Sequence, residues 1–258
     1  MTGKAPDTRP EGMGGCTVGM IRLNGGLLFF KNRDLGKRYQ VNNITVFHST
    51  PEFRTLKGVN LQTTDLEGVS IGVNRHKVCV ANTHVVSSDD VAYDVLCEEL
   101  VRKVRRKSDV RRVVRTFMKG NVVQGGRILV ATPRWGFLVE VLRDRFEIQE
   151  IKSAFAMTNS FSLISHKKAK LRPPGGSSET RLRVAGETIP SISHVGALKA
   201  MLRSHVPEKG PLSICNHGAN GGTESSHIIQ IRGDYVGWSW LVGHPCENDY
   251  HAIELFQG

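Results

Sequence analysis

The residues best suited to chemistry in this chain stand near its start. Gly14-Gly15 precede Cys16, and Lys31 and Asp34 follow two strand-like segments later. A deprotonated thiol is a strong nucleophile. The two glycines give Cys16 little steric cover and permit the backbone torsions that an attack on the Gly15–Cys16 peptide bond would need. If that bond is cut, Cys16 gains an α-amine with a pKa of about 7.7–8.0, near enough to neutrality to serve as base for its own thiol. The competing reading is a buried, inert cysteine, the ordinary state of a free thiol.

Asn24-Gly25-Gly26 lies between the two segments, and Asn-Gly between apolar runs is a strong hairpin signal. Such a hairpin folds Lys31 and Asp34 back beside Cys16, with eighteen positions between Cys16 and Asp34. Strand patterns continue at 39–41, 44–47, 66–74 and 77–82. Ser87 to Asp90 open a helix with Val91, Val95, Leu96, Leu100 and Val104 on one face, and Ser108-Asp109 open a second through Met118. A hairpin follows over 127–141, turning at Pro133, and a further strand ends at Met157-Thr158-Asn159-Ser160. Residues 165–180 read as an exposed loop, 179–189 and 196–205 as helices, and 212–215, 226–232, 238–242 and 252–256 as strands. Strands, a helix pair, strands, a helix pair and strands predict an α+β fold with antiparallel sheets rather than βαβ units.

No apolar run is long enough to span a membrane, and residues 1–14 lack the apolar core of a secretory signal. Five scattered cysteines form no disulfide framework and point to a reducing cytoplasm. The net charge of +11 favours an anionic partner: nucleic acid, an acidic substrate or an anionic surface. The basic run 102–107 with Arg111-Arg112 falls on the solvent faces of two helices without interleaved aromatic residues, which reads as a solvated surface rather than a nucleic-acid patch. Cys215, His217, His227 and Cys246 lack the paired spacings of structural zinc, so no metal is expected and Cys215 reads as a buried strand residue.

The segment Cys16 to Phe29-Phe30-Lys31-Asn32-Arg33-Asp34 resembles the start of mature N-terminal-nucleophile (Ntn) amide hydrolases of the cysteine type, the group of penicillin V acylase, bile-salt hydrolase and isopenicillin-N acyltransferase. Further pieces follow in the same order: Val73-Asn74 with Val80 to His84, Met157 to Ser160, Ser178 to Ala185, Ser213 to Gly218 with Gly222 to Ser226, and Gly243 to Cys246. The resemblance implies a four-layer αββα sandwich, a leader over residues 1–15 and one catalytic domain over 16–258. It implies cleavage between Gly15 and Cys16, with Asp34 holding the new amine and thiol in register. Asn159 and Asn82 are then the oxyanion donors, and Arg181 or Arg183 the late catalytic arginine, Arg181 being preferred. Lys31 stands where penicillin V acylase carries an arginine. The implied activity is hydrolysis or acyl transfer at a linear amide of a small molecule through a thioester, without a cofactor. The positive charge points to an anionic substrate or an acyl-CoA, and homo-oligomerisation is compatible with the sequence. Two rival readings are a basic nucleic-acid-binding protein and an inactive Ntn-fold interaction protein.

Overall fold

The strand carrying Lys31 to Asp34 is buried along its whole length at the centre of a sheet. The structure is a computed structural model that describes residues 15–40, 45–169, 171 and 176–256. The expected leader, apart from Gly15, lies outside these residues, as do Val41 to Ile44.

In chain order, β1 (Thr17–Leu23) and β2 (Gly26–Gly36) form the expected hairpin, with Gly25 at φ 71° in its turn. A helical turn α1 (Lys37–Gln40) replaces the strand expected from Tyr39. Next come β3 (Phe47–Ser49), β4 (Phe53–Val59), β5 (Leu66–Asn74) and β6 (Cys79–Val86). The helix pair α2 (Tyr93–Lys103) and α3 (Lys107–Gly120) follows. Then β7 (Val123–Ala131), β8 (Gly136–Arg143), β9 (Arg145–Glu150) and β10 (Phe155–Met157) precede α4 (Ser177–Thr188) and α5 (Val195–Leu202). The chain closes with β11 (Gly221–Arg232), β12 (Tyr235–Val242) and β13 (His251–Leu255).

One antiparallel sheet has the order β10-β1-β2-β11-β12-β13 and the other runs β3 to β9 in sequence. Their inner faces meet in a core where Val18, Met20, Leu27 and Phe29 oppose Leu56, Ile71, Ala81 and Leu129, beside Trp238. On the outer faces Leu96, Leu100, Val110 and Val114 of α2 and α3 cover Val80, Ile128 and Val139, while Val184, Leu198 and Leu202 of α4 and α5 cover Leu28, Phe30 and Ile228. Each such aliphatic or aromatic side chain contributes about 1.5–3 kcal/mol by leaving water. The expected αββα sandwich is what forms.

Three local expectations fail for identifiable reasons. Residues 87–91 do not begin α2, because Val91 exchanges backbone hydrogen bonds with Val122 and Gln124 and bridges Val123 at the start of β7 instead. Residues 212–215 are turns rather than a strand, although Cys215 is buried. Strands β4 and β9 escaped the sequence reading, since Arg54, Lys57 and the charged positions of β9 dilute their apolar pattern. The basic run lies on solvent faces as expected, with Arg102, Lys107 and Arg112 paired to Glu98, Glu150 and Asp109.

The period of two along β2 sorts its polar residues. Phe29, Lys31 and Arg33 face the second sheet; Phe30, Asn32 and Asp34 face the α4–α5 side.

Candidate active site

Cys16 sits one residue before β1 and is 8% exposed, with its Sγ 4.0 Å from the Asp34 carbonyl. Helix α4 aims Arg181 at it from the outer layer. Arg181 is buried, and its Nη1 donates to the carbonyl of Gly15, to the carbonyl of Cys16 at 2.8 Å and to Thr17 Oγ1 at 3.1 Å. Its Nη2 donates to Asn159 Oδ1 at 3.3 Å, and its Nε to Ser177 Oγ at 3.1 Å. Arg183 is exposed and paired with Glu187 at 3.0 Å. Geometry therefore separates the two arginines: Arg181 alone of the pair touches the Gly15–Cys16 peptide.

Asp34 is held on three sides. Asn216 Nδ2 donates to Oδ2 at 3.0 Å, Thr223 Oγ1 to Oδ1 at 2.8 Å, and Arg181 Nη1 stands 3.9 Å away. Burial pushes the Asp34 carboxyl up to about 6, against the opposing pull of Arg181 and the two hydrogen bonds. The Asn216 backbone N–H in turn donates to Thr223 Oγ1 at 2.9 Å, so the two supports brace each other. The sequence had marked both segments only through the resemblance and had assigned neither residue a role.

Lys31 reaches across the inter-sheet space and is fully committed. Its Nζ donates to Ser70 Oγ at 2.7 Å and to the Asn82 carbonyl and Oδ1, each at 2.9 Å. Burial lowers its pKa, opposed by Cys16 and Asp94. Asn82 was expected to donate to an oxyanion. Its Nδ2 instead donates to the Val69 carbonyl at 2.8 Å and Asp94 Oδ1 at 3.0 Å, so its place in the site is to hold Lys31. Burial drives the Asp94 carboxyl up to about 7, with Lys31 opposing.

Asn159 donates from Nδ2 to the His84 carbonyl at 2.8 Å, which leaves its second N–H without a hydrogen-bond partner among the described residues. Its loop is built on a buried ion pair. Arg127 and Glu140 face each other across β7 and β8 at 3.0 Å, and Glu140 accepts the backbone N–H of Ser162, Leu163 and Ile164 at 2.8–2.9 Å. This pair was missed: a hairpin with strands 127–131 and 137–141 sets Arg127 opposite Val141, and the register found, with Gly136 opposite Ala131, shifts it by one to Glu140.

Cys16, Lys31, Arg33, Asp34, Asn82 and Asn159 line one cavity of about 30 Å³, with Leu35, Val59 and Leu61 also on its wall. Arg181 lies outside this lining and reaches the Gly15–Cys16 peptide from the outer layer. Arg33 donates to the Lys57 carbonyl at 3.2 Å and stands 3.6 Å from Glu224, while its Nη2 has no hydrogen-bond partner among the described residues. Elsewhere the fold brings together side chains that lie apart in the sequence: Cys215 and His217 meet His205 and Cys246, with all four donor atoms within 4.8 Å of one another.

By sequence, no protein-family model and no curated protein matches the chain. By structure, it is similar to penicillin V acylase from Agrobacterium tumefaciens at a TM-score of 0.61 and 10% identity, over 94% of this chain and 86% of that one. A variant of conjugated bile acid hydrolase from Clostridium perfringens aligns at 0.52 and 11% identity, over 93% and 92%. An N-acylethanolamine-hydrolyzing acid amidase ortholog from Caenorhabditis elegans aligns at 0.51 and 11%, over 83% and 92%. The chain has the Ntn-hydrolase fold. At these identities the shared property is the Ntn fold itself. Within it the site is assembled from the start of β1, the end of β2, β6, the loop after β10, α4 and the 216–223 segment. No described helix is long and apolar enough to cross a membrane.

Proposed function

We propose that this chain is a self-processing cysteine hydrolase or acyltransferase that opens a linear amide bond through a thioester. The observation that carries the proposal is Arg181 bonded to both carbonyls that flank the Gly15–Cys16 peptide nitrogen, beside the buried Asp34. The names of the structural neighbours, an acylase, a conjugated bile acid hydrolase and an acid amidase, supply the general kind of reaction.

In processing, Cys16 Sγ attacks the Gly15 carbonyl carbon while Arg181 draws charge onto its oxygen. The C–N bond breaks, the nitrogen takes the thiol proton, and a Gly15–Cys16 thioester forms. Water then releases residues 1–15 with a Gly15 carboxylate, leaving 16–258 as a single catalytic domain with a free amine on Cys16. In turnover that amine takes the thiol proton, the thiolate attacks the substrate carbonyl, and the proton passes to the leaving nitrogen. Water or an acceptor amine resolves the thioester. The substrate carbonyl takes the place of the Gly15 carbonyl, so Arg181 and the remaining Asn159 N–H meet the developing oxyanion. One preorganised donor of this kind is worth roughly 3–4 kcal/mol. Asp34 orients the amine, supported by Asn216 and Thr223. Arg33, whose Nη2 has no hydrogen-bond partner among the described residues, places a buried cation at the cavity and favours an anionic group on the substrate, such as a carboxylate or an acyl-CoA phosphate. We assign the reaction to a reducing cytoplasm.

The test is the intact mass of the purified chain. Loss of residues 1–15 in wild type, abolished in Cys16→Ala, is the expected outcome, followed by thioester trapping across a panel of acyl amides. An uncut wild-type chain whose Cys16 resists iodoacetamide would favour the inactive interaction protein.

A further inference from the structure

Four side chains that sequence spacing kept apart converge beside the loop that supports Asp34. His217 Nε2 lies 3.2 Å from His205 Nε2, 3.4 Å from Cys215 Sγ and 3.2 Å from Cys246 Sγ. A single imidazole nitrogen carries either one proton or one lone pair, so hydrogen bonding accounts for one of these three contacts and leaves two unexplained. A cation at their centre accounts for all of them. With zinc–sulfur bonds of about 2.3 Å and zinc–nitrogen bonds of about 2.0–2.1 Å, a tetrahedron has edges of roughly 3.3–3.8 Å, close to the three separations from His217 Nε2, and all four donor atoms lie within 4.8 Å of one another. The surroundings suit a ligating ring. His244 stacks on the His217 face at 3.8 Å, and His217 Nδ1, the outward nitrogen, faces the Glu247 carboxylate at 3.9 Å.

We propose that His205, Cys215, His217 and Cys246 bind one structural zinc ion. Binding is a ligand exchange without redox change: the two thiols release their protons to solvent, and the ion exchanges water for two thiolates and two neutral imidazoles. The ion joins the end of α5, the 213–217 segment and the β12–β13 connection. Asn216 stands between two ligands, and its side chain holds Asp34. The 213–217 segment has no strand or helix; Asn216 exchanges bonds with Thr223 at 2.9 Å, Ile214 accepts from Asn32 Nδ2 at 2.9 Å, and the two ligand-bearing residues are held by Cys215 N–H to the Ser204 carbonyl at 3.0 Å and His217 N–H to the Gly210 carbonyl at 3.1 Å. The metal adds a further tie to the carboxylate support from outside the reacting cavity. The short Cys-x-His pair, with its other ligands ten residues before and twenty-nine after, hides the site from any reading of paired spacings.

The experiment is elemental analysis of full-length chain expressed with zinc and dialysed. One zinc per chain is expected in wild type and equally in Cys16→Ala, which separates this site from the proposed catalysis. Zinc should fall to trace levels in Cys246→Ser and His205→Ala. Because those variants can fail to fold, wild type loaded with cobalt(II) supplies a second readout, expected to show tetrahedral d–d bands with thiolate charge transfer. Zinc-free wild type, zinc retained at full occupancy in folded Cys246→Ser, or a sulfur-free octahedral cobalt spectrum overturns the proposal. So does a Cys215–Cys246 disulfide, read as a chain lighter by two hydrogens before reduction.

Discussion

Arg181 occupies the space in which a side chain on Gly15 would have to lie. Its Nη1 holds the Gly15 carbonyl, and a Cβ on residue 15 would overlap its guanidinium, falling 2.8 Å from Cζ and 3.1 Å from Asn159 Oδ1. Glycine at this position is thus set by close approach. The Gly15→Ala chain should fold but displace Arg181 from the peptide. A misplacement of about 1 Å costs on the order of 100-fold in rate. The measurement is the time course of the intact mass, and processing at the wild-type rate would contradict the assigned role of Arg181.

Arg181→Lys removes the planar fork that joins Gly15, Cys16, Thr17 and Asn159, and a lysine cannot reproduce those bonds. Processing should fail. Arg183→Lys, on the exposed face of α4, should process normally and change stability by no more than about 0.5 kcal/mol.

Asn159→Ala should lower kcat by roughly 100- to 1,000-fold with little change in KM, as expected for a donor used in the transition state. Asn82→Ala acts differently. It strips Lys31 of a side-chain acceptor and Asp94 of a donor, so it should cost about 1–3 kcal/mol of stability in denaturant titration.

Glu140→Ala leaves Arg127 buried beside an uncapped loop. Removing one partner of a buried pair costs about 3–5 kcal/mol. Chemical denaturation should report this, and residual activity should drop as Asn159 loses its fixed place.

Asp34 and Asp94 are pushed from 3.8 to about 6 and about 7 by burial. The unfolded chain therefore ionises first as pH rises from about 4, and the folded state loses stability until both groups are charged near pH 7. Each pH unit in that window removes up to about 1.4 kcal/mol per group. His227, whose buried ring stays neutral, contributes with the opposite sign as pH falls. The difference between wild type and Asp94→Asn isolates one carboxyl: the variant should show a shallower decline between pH 4 and 7, and equal slopes would remove Asp94 as the source.

Much of the architecture was legible because it is encoded locally. A two-residue turn sets the β1–β2 register and so brings Asp34 to Cys16, and the 3.6-residue period marks which faces of α2, α3 and α5 meet a sheet. Where neighbouring elements compete for the same backbone, that encoding failed, as at Val91, whose hydrogen bonds go to Val122 and Gln124 at the start of β7.

By itself, then, the sequence determined the hairpin that brings Asp34 to Cys16 and the helix faces that meet the sheets, consequences of short-range turn chemistry and hydrophobic period, while the layer order came from the family resemblance. Only the tertiary structure decided between Arg181 and Arg183, which lie about 200° apart around one helix and are told apart by how α4 docks. It also turned Asn82 from an expected donor into the holder of Lys31, because a buried cation must find acceptors wherever the opposite sheet provides them. The convergence of His205, Cys215, His217 and Cys246 depends on three segments closing on one another, which no spacing along the chain encodes.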